Sequence, residues 1–191
     1  ENKWFTMTLH APDIAGAAKP GQFIQLRVGS SSDPLLRRPF SIAGTTPNGD
    51  IELLIRIVGR GTAALAQKKP GEHLDVIGPL GRGFPHITGP VWTVSGGTGF
   101  APFLFMAGPG AGTDTALTHF YGACSATDCR FLELPAYRFI MDQGPPVITT
   151  ETGERGETGL VTQALESRLA ASSSDAPRAM FCCGPLPMMK K

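Results

Sequence analysis

The hydrophobic rhythm of this chain changes once, at Gly89-Pro90, and that change restricts the fold more than any other feature. From Phe5 to about Ile87 apolar residues alternate with polar ones: Ile24, Leu26 and Val28 with Gln25 and Arg27, and Ile51, Leu53, Ile55 and Ile57 along one face of a second run. Period-two alternation is the mark of strands with one buried face. Lys19-Pro20-Gly21, Pro47-Asn48-Gly49-Asp50 and Lys69-Pro70-Gly71 interrupt these runs at intervals suited to a small antiparallel β-barrel or sandwich. One helix is expected in this half, Thr62 to Lys69.

Beyond Gly89-Pro90 the order becomes strand, glycine loop, helix, strand. Val91 to Val94 reads as a short buried strand and Ser95 to Gly99 as a flexible loop, with Pro102 placed where the first turn of a helix tolerates a missing N–H. Leu117 to Tyr121, Val147 to Thr150 and Ala179 to Cys183 supply further strands, and Leu160 to Leu169 is the clearest amphipathic helix. The expectation is an all-β domain over residues 1–88 followed by a parallel-sheet α/β nucleotide-binding domain over 89–191.

Composition narrows the ligands. With 191 residues, 41% apolar, and a formal net charge of +1, the chain can bury a core but has no surplus charge for nucleic acid. The 24 glycines and 17 prolines follow no repeat, which indicates a turn-rich globular fold. No apolar run approaches the roughly 18 residues of a membrane span, so a cytoplasmic, soluble protein is expected, with no membrane partner. Cys124, Cys129, Cys182 and Cys183 form no disulfide framework. Cys124 and Cys129 have the C-x4-C spacing that opens a plant-type iron–sulfur run, but no C-x2-C completes it, so no metal ligands are assigned. His10, His73, His86 and His119 stand in no catalytic or metal motif.

Four stretches carry chemistry. In "DPLLRRPFSI", residues 33–42, adjacent Arg37 and Arg38 precede a hydrophobic strand, and one of them is placed to hold an anion. Gly59-Arg60-Gly61-Thr62 opens a helix, where free N–H groups and a partial positive charge suit a diphosphate; capping by Thr62 after a tight turn is the plainer alternative. Ser95-Gly96-Gly97-Thr98-Gly99-Phe100 lies in a strand-to-helix position, yet it is not G-x-G-x-x-G. Nor does an acid follow the next strand, where Tyr121-Gly122 leads to Ala123-Cys124. Finally, Phe181-Cys182-Cys183-Gly184-Pro185-Leu186-Pro187-Met188 puts a thiol at a strand's carboxyl end; inert packing is the expectation for Cys182, less so for Cys183.

In this order and spacing the stretches resemble the ferredoxin-NADP reductase superfamily: Arg38-Pro39-Phe40-Ser41 its R-x-x-S flavin motif, Gly59 to Thr62 its flavin-diphosphate loop, Gly96-Gly97-Thr98-Gly99 its pyridine-nucleotide loop and Cys183-Gly184-Pro185 its C-G-P signature. "KPGQFIQLRV", "GPLGRGF" and "CGPLPMM" further resemble the electron-transfer subunits of dihydroorotate dehydrogenases. Thr98 and Phe100 depart from the pattern, which has bulkier aliphatic or smaller residues there.

The resemblance implies FAD in the first domain and NAD(H) in the second. Arg38 would pair with the FAD diphosphate and Arg37 would face solvent or a partner. Ser41 would stand at the reactive end of the isoalloxazine and Cys183 beside the nicotinamide, the two catalytic positions. Leu54, Ile55 and Arg56 would line the flavin, Gly61 and Thr62 its phosphates, and Gly96, Gly97, Thr98, Gly99, Gly184 and Pro185 the nucleotide. The implied partner is an FMN-containing dihydroorotate dehydrogenase catalytic subunit or another redox subunit. The alternatives are an NAD(P)H-oxidising diaphorase subunit of a hydrogenase or sulfur-reducing complex, or a flavin-binding assembly module without turnover. A [2Fe-2S] domain is expected only beyond residue 191. Arg130, near the adenosine side, is a candidate attraction for a 2′-phosphate.

Overall fold

A computed structural model of the protein describes residues 3–29, 36–108, 116–172 and 176–190. Asp33, Pro34 and Leu35 of the paired-arginine stretch lie outside the described residues.

Five strands build the first sheet: β1 (Trp4–His10), β2 (Phe23–Arg27), β3 (Arg38–Thr45), β4 (Asp50–Arg56) and β5 (Asp75–Leu80). Their order is β1-β4-β3-β2-β5, antiparallel throughout. β1 and β5 are its edges, so among the described residues the expected barrel is an open five-stranded sheet rather than a hydrogen-bonded ring. A short helix absent from the sequence reading, α1 (Pro12–Ala17), contributes Ile14 and Ala15 to the same core. Its run of small residues carries no clear apolar period, so only the proline at its first turn marked it.

The alternation places side chains as expected. Ile24, Leu26, Val28, Ile42, Ile51, Leu53 and Ile55 are all buried and form one cluster. Each such side chain contributes about 1.5–3 kcal/mol relative to exposure. The helix anticipated at Thr62 is α2 (Arg60–Ala66), which starts earlier and stops short of Lys69-Pro70. A residue before proline is pushed out of helical geometry, which fits the early stop.

The second sheet, β6 (Val91–Gly96), β7 (Leu117–Ala123), β8 (Val147–Thr150), β9 (Glu157–Thr158) and β10 (Ala179–Cys183), is parallel in the order β10-β6-β7-β8-β9. Its helices are α3 (Ala101–Ala107), α4 (Arg138–Gln143), α5 (Val161–Ala171) and α6 (Leu186–Met189). Between β7 and α4 the chain runs through 3-10 turns, Ala126–Glu133 and Pro135–Tyr137, which bury Cys129, Phe131, Leu132 and Tyr137. Phe131 reaches across to Trp4 of the first sheet, ring centroids 5.0 Å apart.

The two sheets share a core through α3. Its sequence, APFLFMA, has no polar side chain and all seven residues are buried. A helix apolar all round must be covered on every side. Leu104 and Ala107 pack with Trp4, Ala43 and Leu54, whereas Phe105 enters the cluster of Ile24 and Ile42. The neighbouring Phe103 stacks on Phe84 at 5.5 Å, and Phe84 in turn meets Phe181 at 4.7 Å.

Candidate cofactor and nucleotide site

The carboxyl ends of β6 and β10 face the first sheet across a cleft of about 440 Å³. Ser41, Arg56 and Val58 line one side; Gly96, Gly97, Thr98, Gly99, Cys183, Gly184 and Pro185 line the other. A second cleft of about 490 Å³ shares Arg56, Gly96, Gly97 and Pro185 with it and runs on over the ends of β7 and β8, past Gly122, Cys124, Thr149 and Glu151. Both volumes fall in the range of small-molecule sites. Residues 142 positions apart in sequence, Ser41 and Cys183, thus come to one opening.

Arg38 and Gly61 also meet. A side-chain carbon built on Gly61 would stand 3.4 Å from Arg38 Nε and 3.6 Å from Val28 Cγ2. The absence of a Cβ therefore leaves the guanidinium against the start of α2, while Arg38 Nη1 donates to Leu36 O at 2.8 Å. A guanidinium beside the first N–H groups of a helix is a chemical match for a diphosphate, so the residues present fit an FAD pyrophosphate. Thr62 departs from its expected use: Oγ1 accepts from Val58 N at 2.9 Å and Gly59 N at 3.2 Å and donates to Gly59 O at 3.0 Å. Its hydroxyl is engaged in capping.

Three further expectations change. Arg37, expected to face solvent or a partner, is paired, its Nη2 with Asp75 Oδ2 and its Nη1 with Asp75 O at 2.9 Å, so it ties the start of β3 to β5. The Arg37 hydrogen bond holds the Asp75 carboxyl below the usual range. Leu54 and Ile55, expected to line the flavin, point to opposite faces of β4 and both enter cores, so only their main chain is left for a ligand. Pro39 is exposed and Phe40 half-buried against the first core, and neither lines either of these two clefts.

Arg56, the third member of that trio, does reach the opening. It lines both clefts, pairs through Nη2 with Asp128 Oδ1, and lies 5.5 Å from the centre of the Trp4 ring. Tyr121 donates its hydroxyl to Asp128 O at 3.1 Å, which fixes the turn that carries this carboxylate.

The glycine loops have a packing reason as well as a binding one. A carbon added to Gly99 would lie 2.1 Å from Cys183 O, and one added to Gly184 would lie 2.9 Å from Gly96 N. The two segments touch backbone to backbone. Gly97 differs: its φ is +56° and a Cβ there would meet nothing within 4 Å, so it is the position of this loop left open to a ligand.

Cys183 is half-buried in the smaller cleft, and burial, then neighbouring Cys182, pushes its thiol up. A thiol raised in this way is protonated near neutral pH and is not a thiolate nucleophile. Cys182, expected to be inert packing, is exposed, because the edge strand β10 turns alternate side chains outward. Cys129 is buried and its thiol rises to about 11, chiefly through burial. Among the described residues, no three of His, Cys, Asp and Glu converge as metal ligands.

The sequence reading missed Val58, Asp128, Thr149, Glu151 and Gly159 to Thr162 as lining residues. The available signal was position: ligands of parallel sheets gather at the carboxyl ends of the strands, and the ends of β8 and β9 carry no motif of their own.

An open antiparallel sheet against a parallel one, with a cleft at their meeting, is the architecture of FAD-dependent oxidoreductases of the ferredoxin reductase kind. Residues 1–84 match the oxidoreductase FAD-binding domain family. Among solved structures, an NADH-dependent reduced ferredoxin-NADP oxidoreductase superposes with a TM-score of 0.77 at 27% identity, over 98% of this chain and 65% of that one. A ferredoxin NADP+ reductase from Neisseria gonorrhoeae, solved with bound FAD and NADP, superposes with a TM-score of 0.73 over 100% of this chain and 82% of that one, at 19% identity. The sequence is 38% identical to the electron transfer subunit of dihydroorotate dehydrogenase B (NAD(+)) of Desulforamulus reducens, over 98% of this chain and 70% of the relative. It is 34% identical to the subunit of the same name from Geobacillus thermodenitrificans, over 97% of this chain and 70% of that protein. The chain belongs to the family of dihydroorotate dehydrogenase B electron-transfer subunits.

Proposed function

We propose that this chain binds FAD between its two sheets, takes electrons from NADH, and delivers them to the FMN of a dihydroorotate dehydrogenase catalytic subunit, in the cytoplasm. The observation that carries the reading is the smaller cleft, where Ser41 stands opposite Gly96 to Gly99 and Cys183 to Pro185. Arg38, with the main-chain N–H groups at Gly61 and Thr62, holds the diphosphate. Ser41 offers a hydroxyl to the reactive edge of the flavin, and Cys183 sets the distance of the nicotinamide from it. Residues 1–88 serve the flavin and 89–191 the dinucleotide.

Bound FAD supplies a hydride acceptor that can release electrons onward. The protein's share is position and exclusion of water, which explains why no histidine lines either cleft. Among the described residues, no helix is long and apolar enough to cross a membrane. The likeness to the NADH-dependent reductase structure favours a second reading, a diaphorase subunit of a different redox complex with the same site.

The test is direct. Protein loaded with FAD and kept free of oxygen is expected to lose its yellow colour on addition of NADH; a flavin-loaded sample that stays yellow refutes the catalytic reading. Co-elution with an FMN-bearing dihydroorotate dehydrogenase catalytic subunit on gel filtration, against none with a hydrogenase subunit, separates the first reading from the second.

A further inference from the structure

Gly97–Phe100 is a single 3-10 turn, and a turn of this kind leaves its first N–H groups without partners inside itself. The first of them, on Gly97, donates to the Tyr121 hydroxyl. That hydroxyl in turn donates to Asp128 O at 3.1 Å. Tyr121 is fully buried, and burial pushes its ionisation well above the ordinary phenol range, so the group is a neutral O–H with one hydrogen bond to give and another to accept. Both are spent on main chain, one on the glycine loop and one on the Ala126–Glu133 turn.

The ring repeats the pattern of the hydroxyl. It meets Phe100, the last residue of the loop's turn, edge-on at 5.5 Å, and Phe131, on the Ala126–Glu133 turn, edge-on at 5.1 Å. One side chain of β7 therefore touches both turns twice, by apolar contact and by a hydrogen bond. Tyr121 itself lines neither cleft, so it acts on a ligand only through these neighbours.

The neighbours lead back to the first sheet. Asp128 pairs with Arg56 at the end of β4, and Phe131 packs on Trp4, the residue opposite Arg56 in β1. Arg130, on the same turn, is exposed and lines neither cleft, so Asp128 is the charged residue by which the turn reaches them. Arg56, Gly96 and Gly97 are common to both clefts, which makes this the crossing point for a molecule that occupies the two.

We infer that Tyr121 is a positioning residue: its hydroxyl ties the glycine loop at Gly97 to the turn carrying Asp128, and so fixes the distance of that loop from Arg56 and the first sheet. This rests on reading the smaller cleft as the place where nicotinamide meets flavin. A phenylalanine ring in its place keeps both aromatic contacts and leaves Gly97 N–H and Asp128 O without this partner, so the fold is retained while the loop is released.

Tyr121→Phe is read in two ways. Amide hydrogen exchange, followed by NMR on the chain without nucleotide, reports on the loop directly. In the wild type the Gly97 amide should exchange at least about tenfold more slowly than that of exposed Thr98; in Tyr121→Phe it should quicken by roughly tenfold, while the amides of β6 and β7 keep their protection. Stopped-flow reduction of bound FAD by NADH reports on the consequence. The limiting rate should fall at least about tenfold, with the NADH concentration that gives half of it moved by less than about threefold and flavin occupancy unchanged. A residue that only supports the fold would lower the denaturation midpoint and the flavin occupancy and leave the limiting rate of the loaded protein alone. Combined with Asp128→Asn, the loss of rate should be smaller than the product of the two single losses, because both act on one link. A wild-type Gly97 amide as fast as that of Thr98, unchanged exchange in Tyr121→Phe, or single losses that multiply in full overturns the inference. If NADH bleaches the wild type and reduces Tyr121→Phe at the same limiting rate, only this inference falls; if the FAD-loaded wild type stays yellow, the reading of the cleft falls and takes the inference with it.

Discussion

Gly99→Ala isolates the contact on which the smaller cleft is built. The new methyl would stand 2.1 Å from Cys183 O, 2.5 Å from its carbonyl carbon and 2.9 Å from Gly184 N, all backbone atoms that cannot swing aside. Ordinary contact begins at 3.4 Å, so the two segments must part by roughly 1.3 Å. Forced overpacking of this kind costs about 1–3 kcal/mol. In urea, with a slope of about 2 kcal/mol per molar, the unfolding midpoint should drop by about 0.5–1.5 M. The displacement also moves Cys183 relative to Ser41, and a misplacement of about 1 Å can slow a positioned reaction by about 100-fold. Gly71→Ala, in a turn that lines neither cleft, is the control: it adds no clash but strains a left-handed backbone, for about 1–2 kcal/mol. Stopped-flow reduction of bound FAD by NADH should therefore be slowed far more by Gly99→Ala than by Gly71→Ala. A Gly99→Ala protein with the wild-type midpoint and reduction rate would refute the argument.

Arg38→Ala should weaken FAD retention by roughly 10- to 100-fold through loss of a charge-assisted phosphate contact, with the fold intact; flavin occupancy after gel filtration measures it, and equal occupancy removes Arg38 from the site. Asp128→Asn, breaking a half-buried ion pair with Arg56 that joins the two sheets, should lower stability by about 1–2 kcal/mol, and a double-mutant cycle with Arg56→Met should show the two effects are not additive. His119 is buried, hydrogen-bonded to Thr93 at 2.6 Å, and burial lowers its pKa to about 4. The unfolded chain takes up this proton first, near pH 6.5, so stability is complete above that pH and declines as pH falls toward about 4, by at most about 1.4 kcal/mol per unit. Denaturation midpoints measured across that window should slope in the wild type and flatten in His119→Gln; equal slopes would place the titration elsewhere.

What the sequence made legible was whatever rests on local period and punctuation. Ile51, Leu53 and Ile55 sit where alternation put them, and β8 and β10 have the anticipated bounds. The strand alternation also explains the misplacements: adjacent Leu54 and Ile55 cannot both face one ligand, and a rule drawn from motif order alone does not see that. Arg37 and Arg38 are indistinguishable in a string, and only the position of Asp75, 38 residues on, assigns one to an ion pair. Glu151 was invisible for a related reason. Register between β7 and β8, not sequence distance, brings it to Cys124.

The buried helix α3 has a consequence for how such chains can vary. Its seven residues are covered partly by the first sheet and partly by the second, so a cut at Gly89-Pro90 would uncover Leu104 and Phe105 on one fragment and Ala43, Leu54 and Ile42 on the other. The halves are not interchangeable modules. A chimera joining residues 1–88 of this chain to the second half of a distant relative would aggregate unless the helix and its two seats were transplanted as a set.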